Sequence, residues 1–406
     1  MKLILLFVNV WGCTAALNQQ LRARPARTAP TSPTSSTGED AHDHGAFSAW
    51  ARKFHKTHSA KEAGARMANF LRSRSDAQRK NELENSATFS VFSDPFADLS
   101  PEERAALFPP RSAEVRFDNI TYTMSADKGA KDLNAGLDGD IDWRNNGAVT
   151  PVKDQGPHGT CWAFSTVAAT EGAWATAGHG LVPLSEQQVI DCGDPSQPGQ
   201  PYGFQQAMCV EPTAPLGTES SYPKPYAGDP SAGGCAVSGG QGGACISGVT
   251  CRPNSACGAG EACEADEDQI RAMLQSGPMS ISIASRGLSG YNGGVIKQAC
   301  SDSALDHAVT LVGYANDDAD GNGPHWILKN SWGDGFGENG FFRLQYGVNC
   351  LKLAGGGPCQ PYAPQNSPFP APPAPAPTPT PTHPAPPAPA PAPPAPTPDD
   401  DDDDAR

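Results

Sequence analysis

Positive charge and long apolar runs are both scarce in this 406-residue sequence. Lysine and arginine together number 29 against 44 acidic residues, so the formal net charge is −15. Nucleic-acid binding needs a basic patch or stripe, and the sequence has none, which argues against that class of partner. The apolar run at residues 3–11 is too short to cross a bilayer, and no other segment is apolar enough, which argues against a membrane-spanning protein.

The first residues instead have the pattern of a secretory signal peptide. Met1 and Lys2 precede the apolar run, and small residues follow it up to Ala16. We therefore expect a signal peptide over residues 1–16; a membrane anchor is the alternative, and the short run disfavours it. A secreted chain passes through an oxidising route, so disulfides are expected for most of the 12 cysteines.

Two segments have compositions that do not predict a packed core. Residues 17–44 are rich in proline, threonine, serine and arginine, and we expect them to be disordered. From Pro358 onward, about forty residues of proline, alanine and threonine predict an extended stalk with polyproline character. The run from Asp399 to Asp404 that follows is either a solvated, self-repelling tail or a tag that binds a cation or a partner.

The segment 151–164 places a cysteine directly before a helical pattern. Cys161 follows a glycine-containing turn, and Trp162 and Phe164 begin an apolar helix face after it. A thiol at a helix N-terminus lies at the positive end of the macrodipole, which favours the nucleophilic thiolate. Gln155, six residues earlier, carries side-chain N–H groups that suit an oxyanion beside that sulfur. The alternative is a buried structural cysteine.

Two further segments carry residues that suit the same chemistry. His307 lies in an apolar, strand-like run 146 residues after Cys161, and Asn330 and Trp332 follow in a segment rich in glycine. An imidazole takes the thiol proton and later returns it to a leaving amine. An asparagine oxygen fixes the tautomer of that imidazole, and a tryptophan shields the bond from water. The alternative for His307 is a structural histidine on a strand.

The three segments, in this order, resemble the catalytic motifs of papain-like cysteine proteases. The resemblance implies that Cys161 is the nucleophile and His307 its proton shuttle and ion-pair partner. It also implies that Asn330 orients the imidazole and that Gln155, with the backbone N–H of Cys161, stabilises the oxyanion. Proteins and peptides are the implied substrates, and neither a cofactor nor a metal is implied.

A helical stripe before these motifs resembles the pro-segment of cathepsin L-like proteases. Its positions are spaced by four, four, three, four and four residues, which places them on one helix face. Four of the six match the family pattern, and the serine and alanine depart from it. The six are Glu62, Arg66, Phe70, Ser73, Ala77 and Asn81. The segment 96–103 resembles the second element of the same pro-segment.

The resemblance therefore implies a preproenzyme with four parts. These are a signal peptide at 1–16, an inhibitory propeptide at 17–137, a peptidase domain at 138–357, and the stalk and acidic tail at 358–406. The chain's own propeptide is then one expected partner, and cystatin-like inhibitors are another. The implied location is the secretory pathway, in a lysosome-like acidic compartment or outside the cell.

The implied fold is α+β and papain-like, with a helical lobe, a lobe resembling a β-barrel, and a helical propeptide. The sequence fits it, because helical patterns surround Cys161 and strand patterns begin near residue 280. Ser185 and Gln188 have capping-box spacing, which predicts a short helix. A cysteine in one lobe and a histidine in the other place the active site in the cleft between them.

Substrate contacts are also implied by the resemblance. The positions of the S2 pocket are Ser282, Leu305, Ala308 and Gly355, and Asp306 and Trp332 are further substrate-binding positions. No S2 position is acidic, so we expect an apolar side chain at P2. Two other functions remain open: a non-catalytic, cleft-bearing binding protein displayed on the stalk, and an exopeptidase whose cleft is closed by the insertion before Asp268.

Family positions imply the disulfides Cys192–Cys235 and Cys300–Cys350. A third family bridge is absent, because His158 occupies one of its positions and residues 199–203 replace the turn that carries the other. His158 is either a second proton carrier, a binder of substrate carboxylates, or a surface side chain. Cys245, Cys251, Cys257 and Cys263 recur every six residues, a spacing that favours disulfides over a zinc site but leaves the pairing open. Cys209 and Cys359 pair either with each other or with this cluster.

Overall fold

The structure is a computed structural model. It describes residues 37–109, 139–192, 204, 216–222, 235, 243–251, 267–300, 304–317 and 321–365. The predicted signal peptide, residues 110–138, residues 199–203, Cys209, Cys257, Cys263, the stalk beyond residue 365 and the acidic tail lie outside these residues. The start of the predicted stalk is a correction, because Cys359–Tyr362 form a strand of the sheet that pairs with Gly248–Cys251. The chain divides into two units, residues 1–46 and 47–406. Apart from the start of the first helix, which belongs to the first unit, the following description concerns the second.

The described residues form helices and strands in an α+β arrangement. The helices are α1 (Thr37–Lys53), α2 (Ala63–Leu83), α3 (Pro101–Leu107), α4 (Cys161–Trp174), α5 (Glu186–Cys192) and α6 (Glu267–Leu274). The strands are β1 (Ala87–Phe89), β2 (Ile141–Asp142), β3 (Gly248–Cys251), β4 (Met279–Ile283), β5 (Tyr291–Ile296), β6 (His307–Ala315), β7 (His325–Lys329), β8 (Phe341–Gln345) and β9 (Cys359–Tyr362). Their order in the sheet is β1-β5-β8-β7-β6-β4-β9-β3, and β2 pairs with β6.

Helix α1 corrects one expectation for the N-terminal segment. Disorder was expected through residue 44, whereas α1 already begins at Thr37. The last proline before it is Pro33, so no residue of 37–53 lacks the backbone N–H that a helix needs. The proline-rich composition therefore ends before Thr37, so it does not extend over the last part of the segment 17–44.

The predicted stripe of α2 faces the segment that follows it in the chain. Phe70 and Ala77 are buried on this face. Ser73 donates a hydrogen bond to the carbonyl of Ala97 (2.9 Å), and the Asn81 amide bonds both backbone groups of Phe89. Ser73, which departs from the family pattern, thus acquires a polar partner across the helix interface.

Two hydrophobic cores define two lobes. One lies within the sheet and includes Trp326 and Phe342; the other surrounds α4 and includes Trp174 and Leu184. Helix α4 contacts both β6 and β4, and the Ser165 hydroxyl of α4 donates to the carbonyl of Val309 (2.6 Å). The α+β, two-lobed prediction is confirmed, with α4 at the boundary between the lobes. Among the described residues, no helix is both long and apolar enough to span a membrane.

Helix α5 begins where the capping box predicted, but only half of the box forms. The Ser185 hydroxyl accepts the N–H of Gln188 (3.2 Å). The Gln188 side chain turns away and accepts the N–H of Gly217 instead (2.7 Å). The carbonyl of Gly217 in turn accepts the N–H of Ser185 (2.9 Å), so a tertiary contact replaces the local one.

The disulfides tie the ends of elements that are distant in sequence. Cys192 bonds Cys235, and Cys300 bonds Cys350, which are the two pairs implied by the family positions. Cys251 bonds Cys359, so β3 and β9 are linked across their register and one cysteine of the evenly spaced cluster is in a disulfide. Cys245 is also disulfide-bonded.

Candidate active site

Cys161 is the first residue of α4. Its side chain is buried, and its sulfur is not part of a disulfide. The side chain of the preceding Thr160 makes no capping hydrogen bond to α4. The first backbone N–H groups of the helix therefore point toward its N-terminal end, where the Cys161 thiol lies. The N–H of Ala308 points at the Cys161 sulfur at 3.4 Å, which brings the strand carrying His307 to the start of α4.

His307 begins β6 and is completely buried. Its Nε2 lies 2.8 Å from Oδ1 of Asn330, which follows the end of β7 directly. The Trp332 ring stacks on the imidazole at 4.8 Å with an interplanar angle of 28°. Nδ1 of His307 has no hydrogen-bond partner among the described residues, so it is the nitrogen left for a reacting group.

Gln155 lies in a segment that pairs with the chain around Asn330. Its backbone N–H donates to the carbonyl of Ser331 (2.8 Å), and Asp154 forms a β-bridge with Trp332. The buried side chain accepts the Ser331 hydroxyl (2.6 Å) and donates from Nε2 to the carbonyl of His158 (2.6 Å). Both ends of the amide are therefore held, and Gln155 is positioned by the loop that carries Asn330.

His158 occupies the turn before Cys161, and its side chain is half-buried. Its described contact is through the backbone, since its carbonyl accepts from Gln155. The position that carries a cysteine in the family thus helps to fix the Gln155 amide. The roles suggested for the imidazole, as a proton carrier or a carboxylate binder, stay predictions.

Three of the expected substrate positions lie together. Ser282 and Ala308 are cross-strand partners in β4 and β6. The Ser282 N–H donates to the carbonyl of Gly356, the neighbour of Gly355 (2.9 Å). Leu305 is half-buried in the approach to β6. Asp306 accepts the N–H of Ser285 through its carboxylate (2.7 Å), a contact that orders the chain just before His307.

Residues of the segment predicted as the propeptide cover this site, and sequence reasoning did not identify them. The centre of the Phe108 ring lies 5.4 Å from the centre of the His307 imidazole and 5.5 Å from the centre of the Trp332 ring. The Leu107 carbonyl lies so near Gly159 that a Cβ there would be 3.1 Å from its oxygen. Cys161 is only 4% exposed and His307 is fully buried, so a large substrate has no access in this state.

A buried charge cluster, also not predicted, joins the segments that carry the site. Lys153 Nζ lies 2.7 Å from Glu186 and 3.0 Å from Glu171 and donates to the Leu184 carbonyl (2.8 Å). Thr150 donates to Glu171 and accepts from Lys329 (2.9 Å). Lys153 precedes Gln155 by two residues, Lys329 precedes Asn330, and Glu171 lies on α4 with Cys161.

The two lysines of this cluster respond oppositely to their surroundings. Burial disfavours the charged form of Lys153, but Glu171 and Glu186 outweigh it and raise the pKa of Lys153 above its usual value. Burial dominates at Lys329 and lowers its pKa to about 8, although Glu171 opposes it. The pKa of Glu171 itself stays below normal because both lysines offset its burial.

The lowered pKa of Lys329 predicts a pH dependence of stability. Between pH 8 and 10.5 the folded chain binds fewer protons at this group than the unfolded chain, so the free energy of unfolding rises with pH. In a Lys329→Met variant this contribution, at most about 1.4 kcal/mol per pH unit, should be missing. Denaturant unfolding at pH 7 to 10 in a Cys161→Ser background measures it. The exposed Lys61→Met is the control; equal pH slopes in all three proteins would contradict the prediction.

Comparison with known proteins places these features in a family. Residues 137–357 match the model of the papain family cysteine proteases, and residues 47–104 match that of the cathepsin propeptide inhibitor domain. A cysteine proteinase of Trypanosoma brucei brucei is 35% identical over 317 residues, which are 75% of this chain and 64% of the relative. Cysteine proteinase B of Leishmania mexicana is 36% identical over 302 residues, 72% of this chain and 63% of the relative. The chain thus spans less than two thirds of the length of these two relatives.

Solved structures of proforms share the fold. The recombinant stem bromelain precursor superposes with a TM-score of 0.64 at 26% identity, covering 79% of this chain and 99% of the other. Digestive procathepsin L 3 of the Tenebrio molitor larval midgut gives a TM-score of 0.63 at 28% identity, with the same coverage. Since a family model matches more than half of the chain, the chain belongs to the papain family of cysteine proteases.

Proposed function

We propose that this chain is the zymogen of a cysteine endopeptidase that hydrolyses peptide bonds through Cys161, His307, Asn330 and Gln155. The proposal rests on one observation, which is that the two lobes meet where Cys161 and His307 lie. The start of α4 brings the Cys161 sulfur to the first residues of β6, and Asn330 fixes the far nitrogen of His307. This leaves Nδ1 of His307 for the thiol proton.

The proposed reaction has two stages. Cys161, as thiolate, attacks the scissile carbonyl and forms a C–S bond, and the imidazolium of His307 donates its proton to the departing amine. Water, deprotonated by His307, then attacks the thioester, the C–S bond breaks, and the carboxylic product leaves with the thiolate restored. Gln155 Nε2 and the Cys161 backbone N–H donate to the oxyanion in both stages. Trp332 covers the His307–Asn330 bond from solvent.

Alkylation of the processed protein tests the proposal. A peptidyl epoxide that alkylates active-site thiolates should modify Cys161 once per chain, and peptide hydrolysis should fall in proportion. An Asn330→Ala variant serves as a comparison, since it should react more slowly because its imidazole is less well oriented. If Cys161 stays unmodified in the processed protein, the result would support the alternative of a non-catalytic binding protein, which the comparisons do not favour.

Gln155 provides a second test. Because its Nε2 is proposed to donate to the oxyanion, Gln155→Ala should lower kcat by roughly 10²–10³-fold. A matched control is Ser331→Ala, which removes the hydroxyl that holds the Gln155 oxygen and leaves the donor in place. We expect a smaller loss in that variant. A near-normal kcat in Gln155→Ala, measured by active-site titration and initial rates, would remove this residue from the oxyanion site.

The propeptide is proposed to inhibit by covering the site through Phe108. Removing its ring should expose the thiol more often, so the unprocessed Phe108→Ala chain should be alkylated at Cys161 at least about tenfold faster, equivalent to about 1.4 kcal/mol. Phe92→Ala removes an exposed ring from the same propeptide and is the control. Equal alkylation rates in the two variants would mean that Phe108 is not the cover.

The remaining assignments follow from the sequence. We propose an apolar P2 preference, a secretory signal at 1–16, a propeptide at 17–137, a peptidase domain at 138–357, and cystatin-like proteins as inhibitors. The acidic, lysosome-like or extracellular location belongs to the same proposal. Peptide libraries with blocked ends separate the endopeptidase from the exopeptidase, because an exopeptidase would leave them uncut.

A further inference from the structure

A small cavity lies between α4 and the end of β7, next to the catalytic residues. Its volume is about 10 Å³, close to the least that a single water molecule needs. Helices α4 and α5, strands β6 and β7 and the residues after β7 supply its wall, which includes Ala168, Glu186, Thr310, Lys329, Asn330 and Ser331. Asn330 bonds His307 and Ser331 bonds Gln155, so the cavity adjoins both residues that hold catalytic side chains.

The amide of Asn330 uses its oxygen but not its nitrogen. Oδ1 lies 2.8 Å from Nε2 of His307 and accepts the backbone N–H of Ser331 (2.9 Å). Nδ2 is buried and has no hydrogen-bond partner among the described residues, although an amide nitrogen carries two donors. Buried donors of this kind are normally bonded either to the protein or to an ordered water, because an unbonded one is costly.

Lys329 also has more donors than acceptors around it. Its side chain is buried, and its ammonium carries three donors. The bond to the Thr150 hydroxyl (2.9 Å) is the single hydrogen bond of this ammonium within the part of the chain that the structure describes. Lys329 and Asn330 are neighbours in the chain and line the same cavity, so unused N–H groups of both residues are available to one occupant.

A neutral molecule that both accepts and donates fits this cavity better than an ion. The two buried lysines of the charge cluster are balanced by its two buried glutamates, so no net charge calls for an anion or a cation. A water oxygen accepts two hydrogen bonds, which matches one N–H from Lys329 and one from Asn330. Its two hydrogens need acceptors, and the Glu186 carboxylate and the Thr310 hydroxyl belong to the cavity wall.

We propose that the cavity binds one water molecule that bridges the ammonium of Lys329 and the amide nitrogen of Asn330, and that Lys329 is thereby a positioning residue for His307. The water supplies the acceptor that Nδ2 lacks, so the amide keeps its oxygen toward the imidazole. Lys329 touches no substrate and acts through the water and Asn330. The positioning role rests on the proposed function, because it concerns the orientation of His307 during peptide hydrolysis, whereas the water site does not.

A crystal structure of the uncut Cys161→Ser chain tests the water directly. The cavity should hold one water, at about 2.7–3.2 Å from Nζ of Lys329 and from Nδ2 of Asn330. An empty cavity, or a water that fails to bond both nitrogens, would overturn the proposal. This measurement needs no catalysis, so a bound water in a chain that proves inactive would support the site and count against the proposed function alone.

Two variants of the processed enzyme test the positioning role. Ala168→Val fills the cavity with additional carbon atoms and displaces the water while the Lys329 charge stays, and Lys329→Met removes the ammonium. Each should lower kcat about tenfold with KM nearly unchanged, because the Asn330 amide is then held less well. Each should also move the alkaline limit of Cys161 alkylation to lower pH, since a His307 imidazolium with a weaker acceptor loses its proton more easily.

The direction of that shift separates positioning from a direct effect of charge. Removing a nearby cation favours the protonated imidazole, so a direct effect of the Lys329 charge would move the alkaline limit upward in Lys329→Met. An upward shift in that variant, or a normal pH profile and kcat in folded Ala168→Val, would overturn the positioning role. Arg286→Met removes an exposed cation outside the cavity and is the control. If Lys329→Met does not fold, Ala168→Val decides the question.

Discussion

Replacing Cys161 with serine is expected to lower kcat for peptide hydrolysis by more than about 10⁴-fold, since the nucleophile of such a unit accounts for most of its rate. A hydroxyl at the start of α4 stays protonated where a thiol gives a thiolate. The change replaces one buried atom and removes no disulfide, so the thermal unfolding midpoint should stay close to that of the wild type. If maturation is autocatalytic, the variant also accumulates as the uncut proform.

Adding a trace of active enzyme separates the possible causes of that result. Cutting of the Cys161→Ser proform by wild-type enzyme would show that the variant is a competent substrate and has lost only its own activity. Hydrolysis by pure Cys161→Ser protein at more than a thousandth of the normal rate would contradict the assignment of Cys161. If the purified variant, separated from the cells that produced it, were still processed normally, maturation would not need Cys161.

Replacing Lys153 with methionine is expected to lower the free energy of unfolding by about 3–5 kcal/mol, because it leaves two buried carboxylates without their shared cation. Glu171 and Glu186 both lie within 3.0 Å of its ammonium. Domains are stable by only about 5–15 kcal/mol, so the loss is a large fraction of the total. Lys153 also precedes Gln155, so kcat of the surviving folded enzyme should fall as well.

Two variants show whether the charge is responsible. Lys61→Met removes an exposed lysine and should leave denaturant unfolding unchanged. Combining Lys153→Met with Glu171→Gln should recover part of the loss, because one of the unpaired carboxylates is then gone. A loss below about 1 kcal/mol in Lys153→Met would mean that the cluster behaves like exposed ion pairs, whose contribution is small.

The strands near the site were predictable because their sequences alternate or run apolar over short spans. The run at 279–283 forms β4 over those residues, and the run containing His307 forms β6. The residues at the start of a helix predict its capping contacts less completely than these runs predict the strands. Ser185 caps α5 as expected, yet Gln188 bonds Gly217, which the sequence around α5 does not reveal.

Residues whose roles depend on distant partners were not predictable from their own surroundings in the chain. Lys153 and Lys329 look like ordinary surface lysines in sequence, and only the packing of two lobes buries them beside Glu171. In the sequence, Phe108 is an apolar residue after a short helix with no sign of a special role. Only the structure shows that its ring packs against His307. The pairing of Cys251 with Cys359 was one of several possible pairings until β3 and β9 were aligned.

The sequence by itself determined the chemistry that this protein carries: a thiol at a helix start, an imidazole and an amide in strand-rich sequence, and a helical stripe before them. Those signals are local, because each rests on spacing within one segment. The tertiary structure decided which groups meet, which charges are buried and what covers the thiol. These outcomes depend on contacts between residues up to about two hundred positions apart, such as Phe108 with His307, and no local pattern encodes them.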